Sequence, residues 1–254
     1  MRVRLIESAV GADSRPQNAT TYVFNDCLAV DAGSLGFWGS PDDQARIRNL
    51  LITHSHADHI ATLPIFVENA YEARAECVTV WGNAAVHRCI REDIFNDRYW
   101  PDFLALSTPE APFLRLETLE RERPIELDGL RITPVLVDHT VRNFGLVFET
   151  PESSVVIVSD TSPTERIWEI ANGLENLSAV FLEAAFPNAM RELADVSKHL
   201  TPELFGHEAR KLRRPARIIA VHIKPRYHRQ IVEELEGLGL PNLEIGEAGR
   251  EYEL

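Results

Sequence analysis

The apolar run Leu50-Leu51-Ile52-Thr53 passes directly into His54-Ser55-His56-Ala57-Asp58-His59, and this junction constrains the fold more than any other segment. A short continuous apolar run reads as a buried strand. The six residues after it hold three imidazoles and a carboxylate, which are poor core material and good metal ligands. The strand must therefore end at an open rim where His54 and His56 turn to one side. Asp58 and His59 then reach back as the chain enters the helix-like stretch from Ile60 to Ala73. Asp58 also suits a helix N-terminus, where unpaired amides and the helix dipole favour a carboxylate. A polar turn with surface histidines is the alternative, but HxHxDH is far more specific than one HxH.

The same device recurs. Val135-Leu136-Val137-Asp138-His139, Val155-Val156-Ile157-Val158-Ser159-Asp160 and Ile218-Ile219-Ala220-Val221-His222 are apolar runs that each close on a potential ligand. Any one of them reads as a solvated strand end. Together they place His139, Asp160 and His222 on the rim already occupied by the HxHxDH loop. Further strands are expected at Val3 to Ser8, Thr21 to Asn25, Cys27 to Asp31, Cys77 to Trp81, Phe113 to Leu119, Phe144 to Glu149, Ala179 to Glu183 and Leu243 to Ile245, with Asn25-Asp26 and Asp128-Gly129 as turns. Helices are expected at Ala84 to Phe95, Thr164 to Leu174, Pro202 to Leu212 and Arg229 to Leu238. Two sheets flanked by helices, an α/β class, account for this order. With 254 residues, 44% of them hydrophobic, one domain spanning 1–254 is expected.

A net charge of -13 argues against a broad basic face for DNA or extended RNA, whose affinity comes largely from phosphate neutralisation. It leaves room for a small anionic substrate, because bound divalent cations would be the largest local charges in a site. Cys27, Cys77 and Cys89 form no CxxC pair, which suggests neither a disulfide framework nor a thiolate zinc site. The start lacks a long apolar core, and no later run reaches bilayer length, so no membrane association and a cytoplasmic location are expected. Neither GxSxG nor GxxxxGK[ST] is present, so the chemistry does not call for a serine nucleophile or a phosphate loop.

On these residues the chain resembles the metallo-beta-lactamase superfamily nearly end to end. Val30-Asp31-Ala32-Gly33 looks like its first motif, His54 to His59 its second, His139 its third, Asp160 its fourth and His222 its fifth. The resemblance implies an alpha-beta/beta-alpha sandwich with two mixed sheets and a dinuclear metal site. It also implies that His54, His56 and His139 hold one metal, that Asp58, His59 and His222 hold the other, and that Asp160 bridges both. Asp31 would support the ligand loop without touching metal. Imidazole and carboxylate ligands without thiolate suit zinc first, with manganese or iron as alternatives.

A second constellation bears on the branch. Leu182-Glu183-Ala184-Ala185-Phe186-Pro187-Asn188 is followed, sixteen positions after Glu183, by His199 in Lys198-His199-Leu200-Thr201-Pro202. With Val221-His222-Ile223-Lys224-Pro225 this is similar to the class II cyclic-nucleotide phosphodiesterases and to the branch containing ribonuclease Z. In that branch a Glu and a His in an HxT setting assist the departing oxygen. Ala57 stands where the class II pattern has Leu and ribonuclease Z has Gly, so the second motif marks the superfamily rather than the branch. The Phe181 to Pro225 wording is closer to the cyclic-nucleotide enzymes. The 23 positions from Asp160 to Glu183 leave no room for the arm that grips tRNA in ribonuclease Z-like proteins.

The expected function is a metal-dependent phosphodiesterase hydrolysing 3',5'-cyclic nucleotides such as cAMP to 5'-nucleotides. Metal-activated water would attack phosphorus, with Asp58, Glu183 and His199 as candidate catalytic residues. The competing readings are a ribonuclease Z-like RNA-processing nuclease, a lactone or ester hydrolase, and a metal-bound binding protein without turnover. The expected partner is a small cyclic nucleotide, with a homodimer as the possible assembly. Lys224, Arg226 and Lys198 would lie near the cleft, where a cation could contact phosphate or nucleotide, although a solvated surface role is the simpler reading of each. The stretch Phe95, Tyr99, Trp100, Phe103 and Phe113 suits a stacking wall, an oligomer contact or ordinary packing. His87, His207 and His228 match no motif and are read as non-catalytic.

Overall fold

The structure, a computed structural model, describes residues 1–8 and 16–254. The first sheet contains β1 (Arg2–Leu5), β2 (Tyr22–Phe24), β3 (Leu28–Val30), β4 (Asn49–Leu51), β5 (Val78–Gly82) and β6 (Leu114–Thr118). The second contains β7 (Ile125–Leu127), β8 (Leu130–Val137), β9 (Asn143–Glu149), β10 (Ser154–Ile157), β11 (Leu177–Glu183), β12 (Arg217–Val221) and β13 (Leu243–Ile245). A last strand, β14 (Glu251–Glu253), returns to the first sheet beside β1. The orders are β14-β1-β2-β3-β4-β5-β6 and β13-β12-β11-β10-β9-β8-β7.

In each sheet one half is antiparallel and the other parallel, with β3 and β10 at the change. β10, β11 and β12 are apolar on both faces because both faces are covered. Val155 and Ile157 of β10 point between the sheets, toward Phe24, Val30 and Leu51, whereas Val156 and Val158 point outward, toward Trp168, Leu204 and Ile231. A third cluster packs the helix Leu63–Ala70 against the outer face of β3, β4 and β5. Between the sheets Phe24 stacks on Phe148 at 4.1 Å, and Phe181 meets Tyr22 and Tyr252 edge-on at 5.6 Å each. This is the helix, sheet, sheet, helix sandwich expected from the motifs.

The hairpin turn at Asn25-Asp26 has φ of 49° and 59°, and that at Asp128-Gly129 has φ of 50° and 77°. Two successive left-handed residues match the twist of the flanking strands. Several boundaries differ from expectation. β1 ends at Leu5 rather than Ser8, because β2 begins at Tyr22 and the Leu5 to Tyr22 pair is the last of that ladder. The helix expected from Ile60 to Ala73 is two pieces, Ala57–Ile60 and Leu63–Ala70. Pro64 sits in the first turn of the second piece, where its missing N–H costs nothing. The helix expected from Ala84 to Phe95 is α-helical over Ala84–Cys89 and widens into a π turn over Ile90–Ile94. The aromatic stretch after it is packing: Phe95, Phe103 and Phe113 stack in sequence, and Tyr71 closes the row on Phe113 at 4.1 Å. Tyr99 remains exposed. Among the described residues, no helix is long and apolar enough to cross a membrane.

Candidate metal centre

Six chain segments leave the strands at one rim: those after β3, β4, β8, β10, β11 and β12. They bring Asp31, the His54 to His59 loop, His139, Asp160, Glu183 and His222 together. One ligand atom from each of His54, His56, His139 and Asp160 lies within 4.8 Å of the others, and the same holds for Asp58, His59 and His222. Asp160 Oδ2 sits between the groups, 3.3 Å from the Nε2 atoms of His59 and His222, 3.7 Å from His54 Nε2 and 4.0 Å from His139 Nε2. Asp58 Oδ2 is 3.6 Å from His222 Nε2. All seven sequence-derived ligand candidates are thus in one cluster, whereas His87, His207 and His228 are not part of it.

The outer partners decide which nitrogen each imidazole presents. His139 Nδ1 donates to the Lys198 carbonyl at 3.0 Å, and His59 Nδ1 donates to Asp31 Oδ2 at 2.7 Å. His54 Nδ1 is 3.0 Å from Thr53 Oγ1, which itself donates to Asp31 at 2.9 Å. His222 Nδ1 is 3.1 Å from Thr20 Oγ1. The contacts of His139, His59 and His54 take the proton outward and leave the Nε2 lone pair facing inward, the orientation a metal ligand requires, and Lys224 Nζ at 3.2 Å from His222 Nε2 suits an inward lone pair there too. His56 turns its Nδ1 inward instead, to 3.1 Å from the Nε2 atoms of His54 and His139.

Asp31 is the hub of this outer layer and is buried, and it also accepts the Thr53 amide at 2.8 Å. Its φ of 59° is a left-handed turn that aspartate tolerates. Gly33 must be glycine for a different reason: a Cβ there would overlap the Asp58 carbonyl oxygen.

Burial keeps four of the imidazoles neutral, where neutrality favours metal; His59 is the exception, because burial is outweighed there by the carboxylates of Asp160 and Asp31, which raise it well above the ordinary histidine value. Burial pushes His54 well below its ordinary value, lowers His56, and takes His139 to about 4 and His222 to about 3, against the opposing pull of Asp160. Burial would raise Asp58, but the neighbouring His222, His59 and Lys224 bring it to about 2. His59 Nε2 is buried without a hydrogen-bond partner although it faces the cluster. An orphaned inward nitrogen, four imidazoles held neutral and ionised carboxylates form the donor set of a divalent metal site, and a bound cation would displace the proton that His59 holds between Asp160 and Asp31. The cluster can bind metals.

Beside it lies the second constellation. Glu183 Oε1 accepts His199 Nδ1 at 2.7 Å and the Thr161 amide at 2.9 Å, while Oε2 accepts the Ala185 and Leu200 amides at 3.2 Å each. Burial opposes charge on His199, yet Glu183 raises its pKa above the ordinary histidine value. The His199 ring lies 5.1 Å from that of His139, 5.6 Å from that of His222 and 5.7 Å from that of Phe186. Thr201 caps the helix Pro202–Ala209 through the Leu204 amide and fixes the backbone that carries His199.

Lys198 holds this loop to the ligand candidates. Its backbone is left-handed at φ 55°, its carbonyl anchors His139, and its ammonium bonds Asp138 Oδ1 at 2.5 Å. Lys224 points into the cluster and Arg226 is exposed. Thr20, Thr53 and Asp138 are site residues that sequence reasoning missed. Thr53 and Asp138 adjoin named ligands, so adjacency was an available signal. Thr20 lies 202 positions from His222 and carried none.

A family model described as "Beta-lactamase superfamily domain" matches residues 34–223. A search of curated proteins found no match. Among solved structures, unliganded yeast PDE1 is similar with a TM-score of 0.79 and 17% identity, covering 98% of each chain. The metallo-beta-lactamase fold protein YhfI from Bacillus subtilis is similar with a TM-score of 0.73 and 17% identity, covering 99% of this chain and 98% of that one. The short form of human tRNase Z, ELAC1, gives a TM-score of 0.65 and 16% identity, covering 100% of this chain and 99% of that one. At such identities these likenesses establish the fold alone.

Proposed function

Because the chain belongs to the metallo-beta-lactamase superfamily, we propose that it is a dinuclear metal-dependent phosphodiesterase that hydrolyses 3',5'-cyclic nucleotides to 5'-nucleotides. His54, His56 and His139 would hold one ion, Asp58, His59 and His222 the other, with Asp160 shared; zinc best suits so imidazole-rich a set. Such ions, when bound, lower the pKa of water toward neutrality and offset charge on phosphoryl oxygens.

The observation that carries the reading is the buried Glu183–His199 pair at 2.7 Å beside the ligand cluster. Glu183 holds His199 by Nδ1 and favours its charged form, so His199 keeps a proton at Nε2 for a departing 3' oxygen. A lactone or carboxyl ester has less need of this pair, since its departing alkoxide can be stabilised by metal. An RNA-processing nuclease also expels a 3' oxygen and could use the same two residues. Against that alternative stand the net charge of -13 and the short passage from Asp160 to Glu183, which holds the helix Arg166–Gly173 and β11.

The test is to incubate metal-loaded protein with cyclic AMP, cyclic GMP, a tRNA precursor and a lactone, and to identify the products chromatographically. The expected result is a 5'-monophosphate from a cyclic nucleotide, with weak and salt-sensitive tRNA binding at most. Efficient cleavage of the tRNA precursor at moderate salt, with cyclic nucleotides untouched, overturns the reading.

A further inference from the structure

Arginine supplies nearly all of this chain's basic side chains: of 26 Lys and Arg residues, lysine stands only at positions 198, 211 and 224. Lys211 is tied to Glu208 at 2.6 Å and Glu165 at 2.7 Å, and Lys198 is tied to Asp138. Lys224 differs from both. Its ammonium lies 3.1 Å from Asp58 Oδ2 and 3.2 Å from His222 Nε2, among the inward atoms of the metal centre.

The backbone aims it there. His222 is left-handed at φ 54°, Ile223 is buried against the helices of the second sheet, and Lys224 is extended with φ -61° and ψ 124°. Pro225 enforces that extended conformation on the residue before it. The side chain is half-buried, with 32% of its surface exposed, so it reaches from the solvent edge of the cleft to its floor.

A divalent ion held by Asp58, His59 and His222 would repel an ammonium so near. Lysine can answer this more readily than a planar guanidinium: its charge is compact, and a flexible four-carbon stem can withdraw it a few ångströms without moving the backbone. The group that would hold it at the mouth is an anion drawn to the same metals. We propose that Lys224 is a substrate-contacting residue that binds an anionic phosphoryl oxygen, and so makes this cleft favour phosphodiesters over neutral esters. This rests on the phosphodiesterase reading and names the residue behind its substrate class. Arg226, exposed on the following turn, is not drawn into the ligand cluster.

The test compares metal-loaded wild type with Lys224→Met, which keeps the length of the side chain, and Lys224→Arg, which keeps its charge. Metal content is measured first, and inorganic phosphate affinity is then read by titration calorimetry. The two rates compared are those on bis(4-nitrophenyl) phosphate, an anion, and 4-nitrophenyl acetate, which is neutral. With metals retained, Lys224→Met should weaken phosphate binding about 10- to 100-fold, the range of a charge-assisted hydrogen bond. It should also shift the ratio of the two kcat/KM values at least about tenfold toward the acetate, and Lys224→Arg should restore part of the loss.

Three outcomes overturn the proposal: phosphate affinity within about twofold of wild type in Lys224→Met, no phosphate binding by wild type, or loss of metal together with phosphate. The last would make Lys224 a support for the ligands instead. Failure of the phosphodiesterase reading looks different. Wild type would then cleave no phosphodiester, while any phosphate binding it shows would still depend on Lys224.

Discussion

Replacing Asp31 by asparagine is the sharpest test of how the outer hydrogen bonds prepare this site, because the exchange keeps shape while it turns one accepting oxygen into a donating NH2 and removes the charge. Asp31 accepts the Thr53 amide through Oδ1 and the His59 imidazole through Oδ2. In Asp31→Asn the carbonyl oxygen can keep the Thr53 amide, which turns the NH2 group toward His59 Nδ1. Two donors then face each other across 2.7 Å unless His59 changes tautomer. The change moves its proton to Nε2, the atom that points at Asp160 and should carry a lone pair. Disturbing an outer-shell partner of a metal-bound histidine costs about 10- to 100-fold in metal affinity. That is roughly 1.4 to 2.8 kcal/mol. Loss of a hydrogen bond to a charged group, about 1.5 to 3 kcal/mol, gives the same scale independently. The assay is zinc titration against a competing chelator, with near-UV circular dichroism as the check on folding. Zinc affinity within about twofold of wild type at both sites, in a protein with unchanged dichroism, would refute the tautomer argument. Asp42→Asn, at an exposed carboxylate in the helix Pro41–Gln44, is the matched control.

Asp160→Ala should lower metal content and abolish hydrolysis in a folded protein, since Asp160 Oδ2 approaches four ligand imidazoles; full occupancy and activity by elemental analysis and assay would contradict the shared-ligand role. His199→Ala should slow cyclic nucleotide hydrolysis about 100- to 10,000-fold, with much less effect on bis(4-nitrophenyl) phosphate, whose phenol departs without help. Equal losses on the two substrates at full metal content would exclude proton donation. Glu183 raises the pKa of His199 above 6.5, so its protonated, donating form prevails below that raised value and is lost as pH rises through it. Cyclic nucleotide turnover should therefore fall on an alkaline limb above about 6.5 that His199→Ala lacks. Phe181→Ala should cost about 3 to 5 kcal/mol in denaturant unfolding, because Phe181 is fully buried against Tyr22 and Tyr252 between the sheets; a cost under about 1 kcal/mol would show that this core relaxes around the gap.

Much of this site could be read before the structure was seen, for a local reason. A ligand that closes a buried strand is marked by the apolar run before it, as Val155 to Ser159 marks Asp160 and Ile218 to Val221 marks His222. β10, β11 and β12 were legible for the same reason, since covered faces make them continuously apolar. β14 was not: its residues Glu251-Tyr252-Glu253 show one apolar position between two acids, and it becomes a strand only because Arg2, Val3 and Arg4 pair with it from the far end of the chain. The helix Arg191–Ser197 escaped because it is two turns long, with only Ala194 fully buried on it.

By itself, the sequence determined the strands that carry the site, the rim on which their ligand candidates stand, and the types of donor available for metal, because these depend on neighbours a few positions apart. The tertiary structure alone decided the proton placement that makes those donors usable. It set Thr20 against His222, Lys198 against His139 and Asp31 against His59, pairs separated by 202, 59 and 28 positions. No local pattern encodes which nitrogen of an imidazole faces inward. That choice belongs to whichever acceptor the fold brings to the other side of the ring.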